Sequence, residues 1–215
     1  MKKIGIVGWK TGDNSFGVTT TYLEFISKYG DPVILMPNDD LVKLDLLILP
    51  GGADVNPTVY GEVPGFKTSN SDVFKQHFYD KKLKLYIENK TPIFGICLGF
   101  QMINTYFGGK LIQDDLFHPQ SNGRYISGHA ISRKPYEDYD KKTNKNMLEV
   151  NSHHHQCVTL DNLGKNLKPL WYAESSDTIE VFEHEELPIS GVQYHPEEWF
   201  DSLSDTMIKT LLNGN

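Results

Sequence analysis

The sequence predicts an α/β protein with a mostly parallel central sheet, helices on both faces and a small antiparallel excursion. Three observations predict it. Short apolar runs recur along the chain, stretches of helical period separate them, and glycines or prolines punctuate the junctions. At 215 residues the chain is long enough for one domain, spanning 1–215, that buries about 70% of its unfolded surface around one core.

The elements follow in order. Ile4-Gly5-Ile6-Val7-Gly8 is the first strand. Residues 18–29 place Tyr22, Leu23, Phe25 and Ile26 on one helical face, and Gly30 stops that helix. Residues 33–36 and 46–49 are the second and third strands, the latter closed by Pro50-Gly51-Gly52. A charged amphipathic helix is expected over 71–89, with Asp72 near its start. Pro92 leads into a fourth strand at 93–96, and a helix follows over 98–107, stopped by Gly108-Gly109. Residues 114–146 are polar and read as an irregular, partly antiparallel excursion. Two further strands fall around Val181-Phe182 and over 189–194, and a last helix over 201–212.

Composition narrows the function classes. With 39% hydrophobic and 23% charged residues, the chain has the make-up of an ordinary globular protein. A formal charge of −7 argues against nucleic acid as a partner, since phosphate contacts need concentrated positive charge. No run approaches the ~20 apolar residues of a membrane span, and Met1-Lys2-Lys3 passes directly into a strand-like run too short for a signal peptide. Two cysteines without a disulfide spacing fit a reducing compartment. The expectation is a cytoplasmic protein with no membrane partner.

The chemistry centres on Cys97. The strand at 93–96 delivers it into a sharp turn to a helix, with Gly95 two residues before and Gly99 two residues after. This is the pattern of a nucleophile elbow, in which glycines let strand and helix pass closely and leave the reactive atom at the strand's carboxyl end. The first amides of the following helix favour thiolate and can receive an oxyanion. A small buried cysteine in a Gly-rich crossover is the competing reading of that segment. Tyr194-His195-Pro196-Glu197 weighs against it. Proline holds His195 extended, so His195 and Glu197 point to the same side, as a base and its orienter do in a catalytic triad.

Leu49-Pro50-Gly51-Gly52-Ala53-Asp54-Val55-Asn56-Pro57 with Tyr60-Gly61-Glu62, the segment 92–104, the segment 150–158 and the segment 191–199 together carry a resemblance. In this order they resemble the class I glutamine amidotransferase superfamily, in particular its γ-glutamyl hydrolase branch, which includes the peptidase C26 and γ-glutamyl-γ-aminobutyrate hydrolase-like proteins. The resemblance implies a flavodoxin-like fold and a cysteine hydrolase that cleaves a γ-glutamyl amide through a thioester on Cys97. His195 would be general acid and base, Glu197 its orienter, and the backbone amides of Gly52 and Leu98 the oxyanion hole. Gln101 would contact the α-amino and α-carboxylate end of the glutamyl group, although from the residues alone it reads as a surface helix position. Asn151, Ser152, His154 and His155 would help to bind the glutamyl moiety, with hydrogen bonding within the loop the equal alternative for the two histidines.

No metal or organic cofactor is required. Of the three adjacent histidines, only His153 and His155 share a side in an extended chain, so a metal there is disfavoured. Cys157 reads as a buried filler. Two positions depart from the branch. Leu98 stands where many members have arginine, as it does in amidotransferase subunits, and Ser71-Asp72 keeps only the acid of an Arg-Asp pair. Three functions follow in decreasing order of support. The first is a stand-alone hydrolase of a small γ-glutamyl substrate. The second is a glutaminase subunit that passes ammonia to a separate synthase. The third is a cysteine α/β-hydrolase of an ester or lactone, disfavoured because its acid would precede the histidine. The excursion 114–146, with Tyr125, Tyr136 and Tyr139, is the candidate wall for the leaving amine.

Overall fold

The computed structural model describes residues 1–69, 71–116, 118, 120–121, 126–133 and 147–214. Strands β1 (Lys3–Val7), β4 (Asp31–Leu35), β5 (Leu46–Leu49), β6 (Ile93–Ile96) and β11 (Ile189–Val192) form the parallel part of a nine-stranded sheet. Strands β7 (His129–Ser132), β8 (Met147–Val150), β9 (Leu167–Ala173) and β10 (Ile179–His184) continue it antiparallel, giving the order β4-β1-β5-β6-β11-β10-β9-β7-β8. β2 (Trp9–Gly12) and β3 (Ser15–Gly17) pair as a separate hairpin.

The inner parallel strands β5 and β6 are apolar and buried throughout because helices cover both faces, whereas the edge strand β4 is largely exposed. β5 shows the division: Leu47 and Leu49 enter one core, Leu46 and Ile48 the other. The first core is closed by α2 (Val73–Phe78), α3 (Lys84–Glu88) and α4 (Leu98–Tyr106), through Phe78, Leu83, Tyr86, Phe100 and Ile103. The second is closed by α1 (Thr20–Ser27) and α5 (Ser202–Asn213), through Tyr22, Phe25, Ile26 and Ile208.

Three features depart from the sequence expectation. The helix expected over 71–89 starts at Val73, capped by the Asp72 carboxylate, and is interrupted by a π turn at Tyr79–Leu83 between α2 and α3. Eight residues of straight α-helix would leave Phe78 and Tyr86 about 80° apart around the axis. The π turn brings them into a stack at 6.0 Å in one core. Strand β9 carries Pro169, which argues against a strand, yet the sheet accepts it opposite Phe182 where the β9–β10 register shifts. The hairpin at 9–17 is short and polar and has no alternation to reveal it.

Candidate active site

Strands β5, β6 and β11 are adjacent and in register, with Leu49 opposite Gly95 and Val192 opposite Ile96. The chain segments that leave their carboxyl ends therefore meet. Cys97 has φ 48° and ψ −101°, a left-handed conformation for a non-glycine residue, and it directly precedes α4. Holding such a residue costs about 1–3 kcal/mol and persists only where the surroundings over-determine it. The packing does so. A Cβ on Gly99 would lie 2.1 Å from the Leu49 carbonyl oxygen, and one on Gly95 would lie 2.7 Å from the Gly99 carbonyl carbon. Glycine at both places lets α4 cross β5 and β6 closely enough to form the elbow.

His195 and Glu197 leave β11 together. His195 Nδ1 and Glu197 Oε1 are 2.7 Å apart, with the carboxylate only 3% exposed. Burial alone would lower the His195 pKa; the Glu197 carboxylate and the neighbouring Cys97 sulfur outweigh it and hold the imidazole well above its ordinary value. Asn151 fixes the backbone of the same residue, its Oδ1 accepting from His195 N at 2.8 Å and its Nδ2 donating to His195 O at 2.9 Å. Tyr194 anchors the segment from below, hydrogen bonded to Asp201 and Ser204 at the start of α5.

The Gly51-Gly52 turn packs against both groups. A Cβ at Gly51 would come within 2.6 Å of His195 Cε1, and one at Gly52 within 2.8 Å of Leu98 Cδ2. Gly51 N donates to the Tyr22 hydroxyl at 2.8 Å. One neighbour is absent from the sequence reading. Lys75 of α2 is buried, hydrogen bonds the Gly51 carbonyl and lies 4.2 Å from the centre of the Trp9 ring. Burial lowers its pKa to about 8, against the opposing pull of Asp72, Cys97 and Glu197. A lysine in a charged amphipathic helix carries no signal of burial, so nothing in the sequence singled it out.

The other expected binding residues are distributed differently. Gln101 is buried and not on the surface; its Nε2 donates to the Gln156 carbonyl at 2.9 Å and to Gln193 Oε1 at 3.2 Å. Ser152 is fully buried, its amide donating to Ser121 Oγ at 2.7 Å. The three histidines diverge, and His153 and His155, the one pair an extended chain would let converge, part as well. His153 faces Glu198 at 3.6 Å and the His195 ring, while His155 bridges Asp54 and Asp114 at 3.0 and 3.3 Å. His154 turns into the interior, toward His118, His129 and Glu180. Burial lowers the His154 pKa to about 3 despite Glu180. Burial opposes ionisation of Glu180, yet the three imidazoles hold its carboxyl below the usual range. This cluster joins distant segments and had no motif to announce it. Cys157 is buried, its thiol pushed up by burial to about 12, as suits a filler. Tyr125, Tyr136 and Tyr139 lie outside the described residues.

A profile of the family described as Peptidase C26 matches residues 8–197. The chain is 32% identical over 191 residues to the glutamine amidotransferase-like protein YvdE of Lactococcus lactis, covering 82% of this chain and 79% of that protein. It is also 32% identical over 140 residues to the carbamoyl phosphate synthase small chain of Sulfurisphaera tokodaii, covering 65% of this chain but only 32% of that one. A chain in the structure of PurLQS from Thermotoga maritima superposes with a TM-score of 0.62 at 16% identity, covering 99% of both, a likeness of fold. No helix among the described residues is long and apolar enough to cross a membrane.

Proposed function

The chain belongs to the peptidase C26 family of glutamine amidotransferase-like hydrolases acting on C–N bonds, and from that premise we propose that it hydrolyses a γ-glutamyl amide by itself, through a γ-glutamyl thioester on Cys97. One observation carries the reading. Cys97, the His195–Glu197 pair and the Gly51-Gly52 turn converge at the carboxyl ends of three adjacent strands.

In the proposed reaction Cys97 attacks the γ-carbonyl carbon, and the carbonyl π electrons move onto oxygen. The Gly52 and Leu98 amides receive that oxyanion. Its collapse breaks the C–N bond while His195 gives the leaving nitrogen a proton. Water then attacks the thioester, losing a proton to His195, and expulsion of the thiolate releases glutamate. Asn151 is a positioning residue in this scheme, since both ends of its side-chain amide are committed to the His195 backbone. Gln101, Ser152 and His155 are retained as the glutamyl-binding group, with Gln101 acting through the carbonyl of Gln156.

A second reading has its own support. Leu98 follows the nucleophile as in amidotransferase subunits, and the similarity to a carbamoyl phosphate synthase small chain fits a glutaminase that feeds a synthase. A panel of γ-glutamyl amides, glutamine among them, assayed for glutamate release by the purified chain separates the two. Turnover that extract from the source organism raises little supports the lone hydrolase. Release that stays silent until extract is added supports the subunit.

A further inference from the structure

Away from the elbow, the described residues bring four titratable side chains into one buried pocket. His118, His129, His154 and Glu180 have side chains 0, 4, 2 and 0% exposed. All three Nε2 atoms face the same carboxylate oxygen, Glu180 Oε1, at 3.6 Å from His118, 3.4 Å from His129 and 3.9 Å from His154. Ligand atoms of His118, His129 and Glu180 lie within 4.8 Å of one another. None of these Nε2 atoms, and neither Glu180 oxygen, has a hydrogen-bond partner among the described residues.

A hydrogen-bonded cluster of this composition would contract. N–H···O bonds run from about 2.7 to 3.2 Å, and charge-assisted ones fall at the short end. The observed separations are longer, and all three converge on Glu180 Oε1. Two ligands of one tetrahedral ion, each about 2.0–2.1 Å from the metal, stand about 3.3–3.4 Å apart. The spacings of His129 and His118 from Glu180, 3.4 and 3.6 Å, are close to that of co-ligands, while His154 stands further off at 3.9 Å. The second shell agrees: His154 Nδ1 lies 3.1 Å from the Gln156 carbonyl oxygen, which fixes its proton on Nδ1 and turns the Nε2 lone pair to the pocket. Glu180 is delivered by a β-bulge, the β9–β10 register shifting between Ile179 and Val181 so that its side chain is re-aimed out of the regular alternation.

We propose that His118, His129 and Glu180 bind one zinc-type divalent cation, with His154 drawn in as the fourth ligand to close a structural site. Three imidazoles and a carboxylate are the donor set of a borderline ion in tetrahedral geometry, and no ligand position is left for substrate. The ion ties β7 and β10 to residue 118 and to the 151–156 segment. That segment holds the His195 backbone through Asn151, and the 51–56 turn through reciprocal hydrogen bonds in which Val55 N donates to Gln156 Oε1 and Gln156 Nε2 donates to the Val55 carbonyl. The site thus braces the scaffold of the elbow without touching the sulfur.

The test uses the full chain, without a histidine tag, carrying Cys97→Ser so that the sulfur cannot capture metal. Chelator-treated protein is titrated with Zn²⁺ by calorimetry and with Co²⁺ by visible absorption. One equivalent of Zn²⁺ per chain, and a tetrahedral Co²⁺ spectrum without a thiolate charge-transfer band, are expected. Glu180→Gln and His129→Gln should each weaken binding by more than about a hundredfold, since even second-shell losses reach that size. Should those variants fold poorly, His118→Gln and the zinc-induced rise in Tm of the chelated parent supply the same measurement. Absence of a stoichiometric site and of any Tm rise in the parent, or binding undiminished in folded variants, overturns the assignment.

Discussion

Two regions of this molecule collect ionisable side chains, and they do so in opposite ways. The elbow is assembled from residues adjacent in sequence, Gly95 to Gly99 and His195 to Glu197, and is held in strain, with Cys97 at φ 48°. The His118–His129–His154–Glu180 pocket is assembled from four separated segments, and its Nε2 atoms and carboxylate oxygens have no hydrogen-bond partners among the described residues. Strain marks a place where the fold sustains a local cost for reactivity, whereas unpartnered buried donors mark a place where something must be added to complete the charge balance.

The sharpest break between the two regions comes from removing the sulfur. Cys97→Ala should lower turnover by more than about a thousandfold, as loss of a covalent nucleophile does. The same variant should bind metal as the parent does. Residual turnover above that level would assign the chemistry elsewhere.

Glu197→Gln should come next, at about 10²–10⁴-fold in kcat, with the protein still folded. It also predicts a direction in pH. Burial opposes the imidazolium, and Glu197 is the largest influence that raises the His195 pKa. Without that charge the pKa falls, so the alkaline limb of the kcat/KM profile should move to lower pH. An unmoved limb would show that another group titrates there.

Asn151→Ala tests whether the two regions communicate. It frees the His195 backbone without altering the imidazole, so a loss of about ten- to a hundredfold in kcat with little change in KM is expected. A change confined to KM would return Asn151 to direct substrate contact.

These differences explain what the sequence could disclose. The inner parallel strands were visible because burial on both faces writes them as apolar runs, and the elbow because glycine is the residue that lets Leu49 and Gly99 approach. The His195–Glu197 geometry was visible because Pro196 enforces it locally. β9 was hidden because Pro169 speaks against a strand and only its partner β10 overrules that. The histidine pocket was hidden because convergence across β7, β10 and two loops has no spacing. An extended chain would let at most His153 and His155 of the triple histidine converge, and in this loop the three side chains part in three directions.

Lys75 lies between these two kinds of region, buried like the pocket but placed at the elbow, and it carries the smallest predicted effect. Its pKa is lowered to about 8 in the fold, chiefly by burial, against about 10.4 when unfolded. Below pH 8 the side chain is protonated in both states, and the fold bears the full cost of the buried ammonium. Between about pH 8 and 10.4 the native state releases its proton first, so stability rises with pH across that window. Lys75→Met removes the ammonium and keeps the length of the stem over Trp9. The variant should therefore melt higher than the parent at pH 7, by about 2–4 °C for each kcal/mol relieved, and the gain should shrink by pH 10. A variant that melts lower at both pH values would show that the hydrogen bond to Gly51 and the Trp9 contact outweigh the burial. Lys75 would then be a brace of the Gly51-Gly52 turn, and the elbow's strain would be held from this side as well.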